Sequence, residues 1–461
     1  MQTVSLWNHR RDSAPQAFDT GVFDAPDRGP DCKSRGEALS KPLPFSGCQL
    51  GAMPVKIRDS SLMKRSLVTL LYALLLSPAA YAQQVLTNDP VATAPLHLGP
   101  FGFNPTFRLR NLGVDTNVLN SVANRERDLT FTASPDTEVF LRTGRGLLTL
   151  VGGLDFVYFQ KFASQRSLNS HITGRYELRF NRLRPFVAVG SVYSRQRPGF
   201  EIDTRALHYE TDSRVGADVQ VASKSVARLE YRQHRYSFNG DEVFAGTQLS
   251  QQLNRTLKAA DLSWRQRLTA LTTWVTRVSR ETERFEFEDA RNSDSFRLSS
   301  GFELGRFALI RGSAFAGYRK LTPAEGGILP EFSGVTADVD VSYTMPTQTR
   351  LGAAVERDVQ YSYDVRTPYY VQTGWTATLT QRVTGKWDVQ LSGGRDRLSY
   401  QALNDADARR DFVGRFGGGI GYAVRDQIRA SFDVNSLYRS SEIPGREYGG
   451  VRAGLNVTYG Y

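Results

Sequence analysis

Along GVTADVDVSYT, residues 334–344, every second side chain is apolar. Val335, Ala337, Val339, Val341 and Tyr343 share one face, and Thr336, Asp338, Asp340 and Ser342 share the other. A period of two, with β-branched and aromatic residues on the apolar side, predicts a strand that hides one face from water. HITGRYELRF repeats the pattern, with Ile172, Gly174, Tyr176, Leu178 and Phe180 against Thr173, Arg175, Glu177 and Arg179. QIRASFDVNSLY repeats it again, with Ile428, Ala430, Phe432 and Val434 against Arg429, Ser431 and Asp433. A helical period is almost absent after residue 100. The expectation is an all-β chain.

The links between these segments alternate in length. Short turns are predicted at Thr143–Arg145, Asn181–Arg184, Gly305–Arg306, Met345–Gln348, Thr384–Lys386 and Arg425–Gln427. Long polar loops are predicted at Asp115–Arg127, Arg195–Asp212, Ser237–Asn254, Arg280–Ser293, Lys320–Glu331, Gln401–Arg410 and Arg439–Glu447. A sandwich has irregular Greek-key connections. Short turns on one side and long loops on the other belong to outer-membrane barrels. The chain closes on GLNVTYGY, which places Leu455, Val457, Tyr459 and Tyr461 on one face. That segment looks like the terminal strand by which outer-membrane barrels are handed to their assembly machinery. Counting from Thr106 gives eighteen strands. Sixteen is the fallback, because Thr106–Val114 and Leu268–Val278 alternate poorly. The predicted fold is a transmembrane antiparallel outer-membrane β-barrel over 103–461.

Upstream, MKRSLVTLLYALLLSPAAYAQQ begins at Met63. Two cations, an apolar run from Leu67 to Leu76, a Ser-Pro break and small residues at Ala80 and Ala82 are the parts of a secretory signal. The apolar run is about half of what a membrane-spanning helix needs. Cleavage is expected before Gln83. Residues 63–82 are then a signal peptide, and 83–102 a short periplasmic lead. Residues 1–62 carry scattered Pro, Gly, Asp and Arg with no period, and they read as a mis-called start or a disordered extension.

Both cysteines, Cys32 and Cys48, lie upstream of Met63, so the exported part has neither disulfides nor thiolate chemistry. The chain carries Lys+Arg 58 against Asp+Glu 47; 10 and 7 of these precede Gln83, leaving 48 and 40 and a net of +8. No block of like charge appears, which argues against a nucleic-acid partner. If the apolar faces meet lipid, the polar faces line a lumen. The expected lumen set includes Arg175, Glu177, Arg179, Arg228, Glu230, Arg232, Asp338, Asp340, Arg429 and Asp433. Cations and anions there nearly balance, so the wall is mixed. Arg357 falls on the nominal lipid face, which calls for a rim position or a bulge; Gly393-Gly394 suggests a bulge nearby.

Catalytic chemistry finds little support. No Gly-x-Ser-x-Gly elbow occurs, and metal-ligand spacing is absent. Asp203 and His208 share one predicted loop and form a candidate acid–base pair, although solvated loop residues are the simpler account. No cofactor and no catalytic residue is expected. The short lead before the first strand leaves no room for the plug of a large transporter barrel.

From FNPTFRLRNLGVDTNVLN onward the chain resembles the beta-barrel porin type 2 family of Gram-negative bacteria. The resemblance rests on Asp115-x-Asn117 after the first strand, Pro135 in the second, RPGFEIDTRA from Arg197, and ERDVQYSYDVRTPYYVQTG. It covers about 103–461 and implies an outer-membrane barrel, with some relatives linked to polysaccharide export. The last residue, Tyr461, stands where many barrels have Phe. The expected function is a porin-like channel or conduit for small solutes or polysaccharide. The expected partners are outer-membrane lipid and lipopolysaccharide, the barrel-assembly machinery and polysaccharide-export components. Two alternatives stay open: an outer-membrane hydrolase, and a non-conducting structural or adhesion barrel.

Overall fold

The computed structural model describes residues 89–305, 309–403 and 408–460. The expected signal, its cleavage residues Ala80, Ala82 and Gln83, the upstream extension and Tyr461 lie outside them. Among the described residues no helix is long and apolar enough to cross a membrane.

The chain crosses instead with strands. The wall begins with β2 (Phe101–Asp115), to whose edge the short β1 (Leu96–Leu98) is added. It continues through β3 (Asp128–Thr143), β4 (Gly146–Phe159), β5 (Ser167–Leu178), β6 (Leu183–Gln196), β7 (Ala206–Ala222) and β8 (Ser225–Phe238). The next loop holds a separate small hairpin, β9 (Val243–Phe244) with β10 (Thr247–Gln248), and a helical turn, Leu249–Leu253. The wall resumes with β11 (Arg255–Arg267), β12 (Thr272–Phe285), β13 (Ser293–Leu304), β14 (Ile310–Pro323) and β15 (Phe332–Thr344). It ends with β16 (Thr349–Tyr361), β17 (Tyr369–Thr384), β18 (Trp387–Gln401), β19 (Arg410–Arg425), β20 (Ile428–Ser441) and β21 (Tyr448–Tyr459).

Each wall strand pairs antiparallel with its sequence neighbours, and β21 pairs back onto β2, which closes the sheet. Setting aside β1, the nineteen-stranded sheet is an eighteen-stranded barrel. Closure removes the exposed edges that an open sheet would leave to aggregate. At the seam the chain bends. Asn111 takes φ 55, and the register shifts between Leu109 and Leu112. Opposite that bulge, a Cβ on Gly113 would stand 2.0 Å from the Ala453 carbonyl, so only glycine fits.

The alternating pattern becomes the two faces of the wall. Leu229, Leu262, Val335 and Ile420 project outward, each more than half exposed. Their alternate neighbours, Arg228, Asp261, Thr336 and Gly421, belong to the opposite face. The terminal strand follows suit, with Leu455 and Tyr459 exposed on the outer face and Val457 half-buried on the same side.

Several expected boundaries move. β12 runs on to Phe285, so the loop expected from Arg280 begins only after it; the long charged side chains there alternate like any other strand. Residues 223–224 and 268–271 form turns that composition did not signal, and 160–166 and 362–368 form loops that were not expected. The bulge expected at Gly393-Gly394 does not exist: β18 keeps register through both glycines, and the shifts fall between Arg382 and Thr384 and between Ala423 and Arg425. Nor is there a bulge at Arg357, whose pairing to Ala337 and Thr373 is unbroken. It lies four residues from the loop end of β16, and that rim position accommodates its charge.

Candidate pore and its constriction

The inner wall is a lattice of ion pairs. Arg228 reaches Asp218 at 2.5 Å, and Arg232 reaches Glu281 at 3.0 Å and Asp261 at 3.3 Å. Glu281 also lies 3.6 Å from Arg297 and 3.5 Å from Arg319, both of which contact Asp358 at 2.9 and 3.0 Å. Two carboxylates thus hold the ends of three guanidiniums across β8, β12, β13, β14 and β16. Planar guanidinium groups suit such shared pairing, which accounts for arginine over lysine on this face.

The residues expected in the lumen fall into distinct places. Arg175 and Arg179 both pair with Glu177, at 3.5 and 2.9 Å, but Arg179 lies in the turn after β5 because that strand ends at Leu178. Glu230 is buried, directly opposite Asp261. Asp338 stands opposite Glu356, while Asp340, two residues nearer the turn end, is exposed. Arg429 is held by Asp388 at 2.6 Å, and Asp433 accepts from Ser431 and Asn456. The wall is therefore divided: on β7–β14 arginines and carboxylates interleave and pair, whereas Asp338, Glu356, Asp358 and Asp396 follow one another across β15, β16 and β18.

The expected acid–base pair does not form. His208 is on β7 rather than in a loop, 3.4 Å from Glu210, and His234 of the next strand lies 3.3 Å from the same carboxylate. Asp203 is taken by Arg439 at 2.8 Å.

The loop between β6 and β7, residues 197–205, is the feature that shapes the lumen. β6 and β7 lie half-way round the ring from β18 and β19. Yet Phe200 packs among Tyr370, Leu398, Tyr400 and Val413, on β17, β18 and β19. The loop therefore runs across the barrel to the far wall. Such a span is possible only through the interior, and it identifies the polar face as the inner one.

Its seat is built from buried polar groups. Arg439 of β20, with no side-chain exposure, donates to the carbonyls of Phe200 and Glu201 at 3.0 and 3.1 Å. The same guanidinium holds Asp203, and its other amino group holds Asp411 at 2.5 Å. Glu201 accepts from Ser362 Oγ at 2.6 Å and from the Tyr363 backbone N–H at 3.2 Å. Arg446 also donates to the Glu201 carbonyl. Burial pushes the Glu201 carboxyl above its ordinary value, against the opposing effect of Ser362, Arg446 and Arg409.

Neighbouring loops complete the crossing. Ile202 and Ala206 join Phe238, Phe244, Leu249, Leu253 and Tyr363 in one apolar cluster, so the β8–β11 loop folds against the crossing loop. Arg291, fully buried, donates to the carbonyls of Gln252, Ser362 and Pro368 at 2.8, 2.6 and 2.7 Å and ties three loops together. Sequence reading missed Glu201, Ser362, Arg291 and Arg439. The available signal was Phe200 and Ile202 flanking Glu201, apolar residues inside a loop where none should face water.

A BenF-like porin from Pseudomonas fluorescens Pf-5 is similar at 10% identity, over 78% of this chain and 98% of its own, with a TM-score of 0.45. OccK3 of Pseudomonas aeruginosa is similar at 10% identity over 78% and 95%, with a TM-score of 0.42. No curated protein matches the chain. The family described as "Putative beta-barrel porin 2" matches residues 89–461, which include every strand of the barrel. The chain belongs to that family, and its barrel is a porin-type barrel of the bacterial outer membrane.

Proposed function

We propose that the protein is a non-enzymatic, loop-constricted channel for small solutes in the outer membrane of a Gram-negative cell. The observation that carries this reading is the crossing loop: residues 197–205 span the interior and are fixed on the far wall by Phe200, Glu201 and Arg439. An eighteen-stranded barrel is wide enough for an aqueous channel, so an inward loop determines what passes. A polymer would need the crossing moved aside, which favours small solutes over a polysaccharide strand. His208 and His234 both lie against Glu210, and His234 also against Asp212, an arrangement within the wall that needs no reaction to explain it. On this reading export begins at Gln83, the strand from Leu455 to Tyr459 serves assembly, and the long loops face outward.

The test is single-channel conductance of the refolded barrel in planar bilayers, for the wild type and for a variant lacking residues 198–204. Small, steady conductance that rises several-fold in the variant supports the channel. Equal conductance in both removes the constriction, and silence in both favours a structural barrel.

A further inference from the structure

The outward face of the wall is apolar except near the long loops. There Arg235 of β8, Lys258 of β11, Arg280 and Arg284 of β12, and Lys320 of β14 all project outward and are exposed. Register places them as a band. Lys258 is opposite Gln233 and Thr282, Arg280 opposite Ala260 and Phe296, and Lys320 opposite Phe296. Each is within a few residues of the loop end of its strand.

One register step beyond Arg280 and Lys320 toward the turns, the pattern changes completely. Leu229, Leu262, Val278, Leu298 and Tyr318 form a continuous exposed apolar row. Tyr231 and Phe296, 45% and 50% exposed, stand beside the cations at the boundary. Amphipathic rings favour the headgroup level, and a cation on the lipid face is tolerated only near an interface. The band therefore marks the headgroup depth of the leaflet at the loop end.

Its charge is only partly neutralised within the protein. Glu286 takes Arg235 at 3.3 Å, and Asp294 takes Arg284 at 2.7 Å. Among the described residues Lys258, Arg280 and Lys320 have no ion-pair or hydrogen-bond partner. Beside Lys258 is an open cavity of about 440 Å³, lined by Gln233, Arg235, Thr256, Lys258, Arg284 and Glu286 with Phe285. It offers the Gln233 amide and the Thr256 hydroxyl next to the unpaired Lys258, with Glu286 occupied by Arg235, a combination that suits a sugar bearing phosphate.

We propose that this outward band, centred on Lys258, Arg280 and Lys320, binds a phosphorylated glycolipid of the surrounding leaflet. The headgroup phosphates sit against the three cations, a sugar enters the cavity, and the acyl chains lie on the apolar row below. The binding holds the barrel at a fixed depth and orients its long-loop end toward the glycolipid-bearing leaflet. The inner arginines cannot serve this role, because they face the lumen and are paired there.

The test uses the refolded barrel in detergent, with native mass spectrometry against a diphosphorylated lipid A and its chemically dephosphorylated counterpart. The wild type should retain the phosphorylated lipid and release the dephosphorylated one. Lys258→Gln, Arg280→Gln and Lys320→Gln together should weaken retention about a hundredfold, at the worth of three surface cations on an anionic lipid. Heat-modifiable migration on gels must show that this variant is folded. A matched variant losing Arg145, Lys224 and Lys386 at the turn end should bind as wild type. Equal retention of both lipids would overturn the proposal by reducing the contact to acyl-chain adhesion. Equal loss in the matched variant would overturn it by reducing it to net charge, and competition by inorganic phosphate alone would replace it with a free-anion site.

Discussion

The two ends of the barrel are made of the same strands and finished by opposite means. At the turn end, neighbouring strands reverse through links as short as residues 144–145, 385–386 and 426–427, and what is needed is local backbone geometry. Gly144 and Gly385 take φ 58 and 46, the left-handed region that residues with a Cβ avoid. At the loop end, residues far apart in sequence hold one another. Arg439 is separated from Phe200 by 239 positions and Arg291 from Pro368 by 77. One end is closed by chain reversal and stays simple. The other is closed by tertiary contact, and that is where selectivity can reside.

The comparison is broken most severely at Arg439. Arg439→Ala leaves Asp411 buried without its cation and frees the Phe200 and Glu201 carbonyls. Removing one partner of a buried pair costs about 3–5 kcal/mol. The urea midpoint of the refolded barrel should fall accordingly, and conductance should become larger and noisier as the crossing loop loosens. An unchanged midpoint would mean that the loop is not seated by this residue.

Glu201 sharpens the comparison through pH. Its carboxyl is raised by burial, and Arg409, Arg446, Arg439, Asp203 and Tyr363 surround it. Between the ordinary value of 4.5 and the raised one, the folded loop binds more protons than the unfolded chain. The seat is therefore strengthened as pH falls through that interval and weakened as pH rises through it. Channel conductance should drop on acidification, and Glu201→Gln should hold the low-pH conductance at all values. A wild type insensitive to pH, or a Gln variant that still responds, contradicts this account.

Selectivity is a smaller effect. The ion-paired sector on β7–β14 and the acidic sector on β15–β18 share one lumen, and the expected exported chain carries +8. A modest preference for anions should appear as a reversal potential under a salt gradient and fade at high salt. Arg228→Ala with Arg232→Ala frees Asp218 and Asp261 and leaves Glu281 with Arg297 and Arg319 alone, so the preference should decline or invert. A cation-selective wild type would show that the acidic sector governs the passage instead.

The turn end should respond least. Gly385→Ala forces a left-handed residue to carry a Cβ, at a cost of about 1 kcal/mol. The urea midpoint should shift slightly, and conductance should stay the same. A conductance change from this distant turn would mean that the two ends are coupled.

Legibility in the sequence follows the same division. Val335 to Tyr343, Ile428 to Val434 and Leu455 to Tyr459 announced their faces because strand pairing repeats every two residues and lipid demands one apolar side. The turn at Met345–Gln348 was readable for the same local reason, and it lies between β15 and β16 as expected. Harder to read were charged strand ends such as Arg280–Phe285 and the histidine at 208, because charge near a strand end looks like loop when its partner is unseen.

What the sequence by itself determined was therefore the barrel: eighteen antiparallel strands, an apolar exterior, a polar interior and the asymmetry of short turns and long loops. Each follows from interactions between residues one or two positions apart, or from the solvent that each face meets. What only the tertiary structure decided was how the long loops close the mouth. Glu201 meets Ser362, and Phe200 meets Val413, solely because barrel closure brings β6 and β7 opposite β18 and β19. The same is true of the outer band, where Lys258, Arg280 and Lys320 become one surface only when β11 through β14 lie side by side. Long-range placement is a property of the closed ring, and no local pattern encodes it.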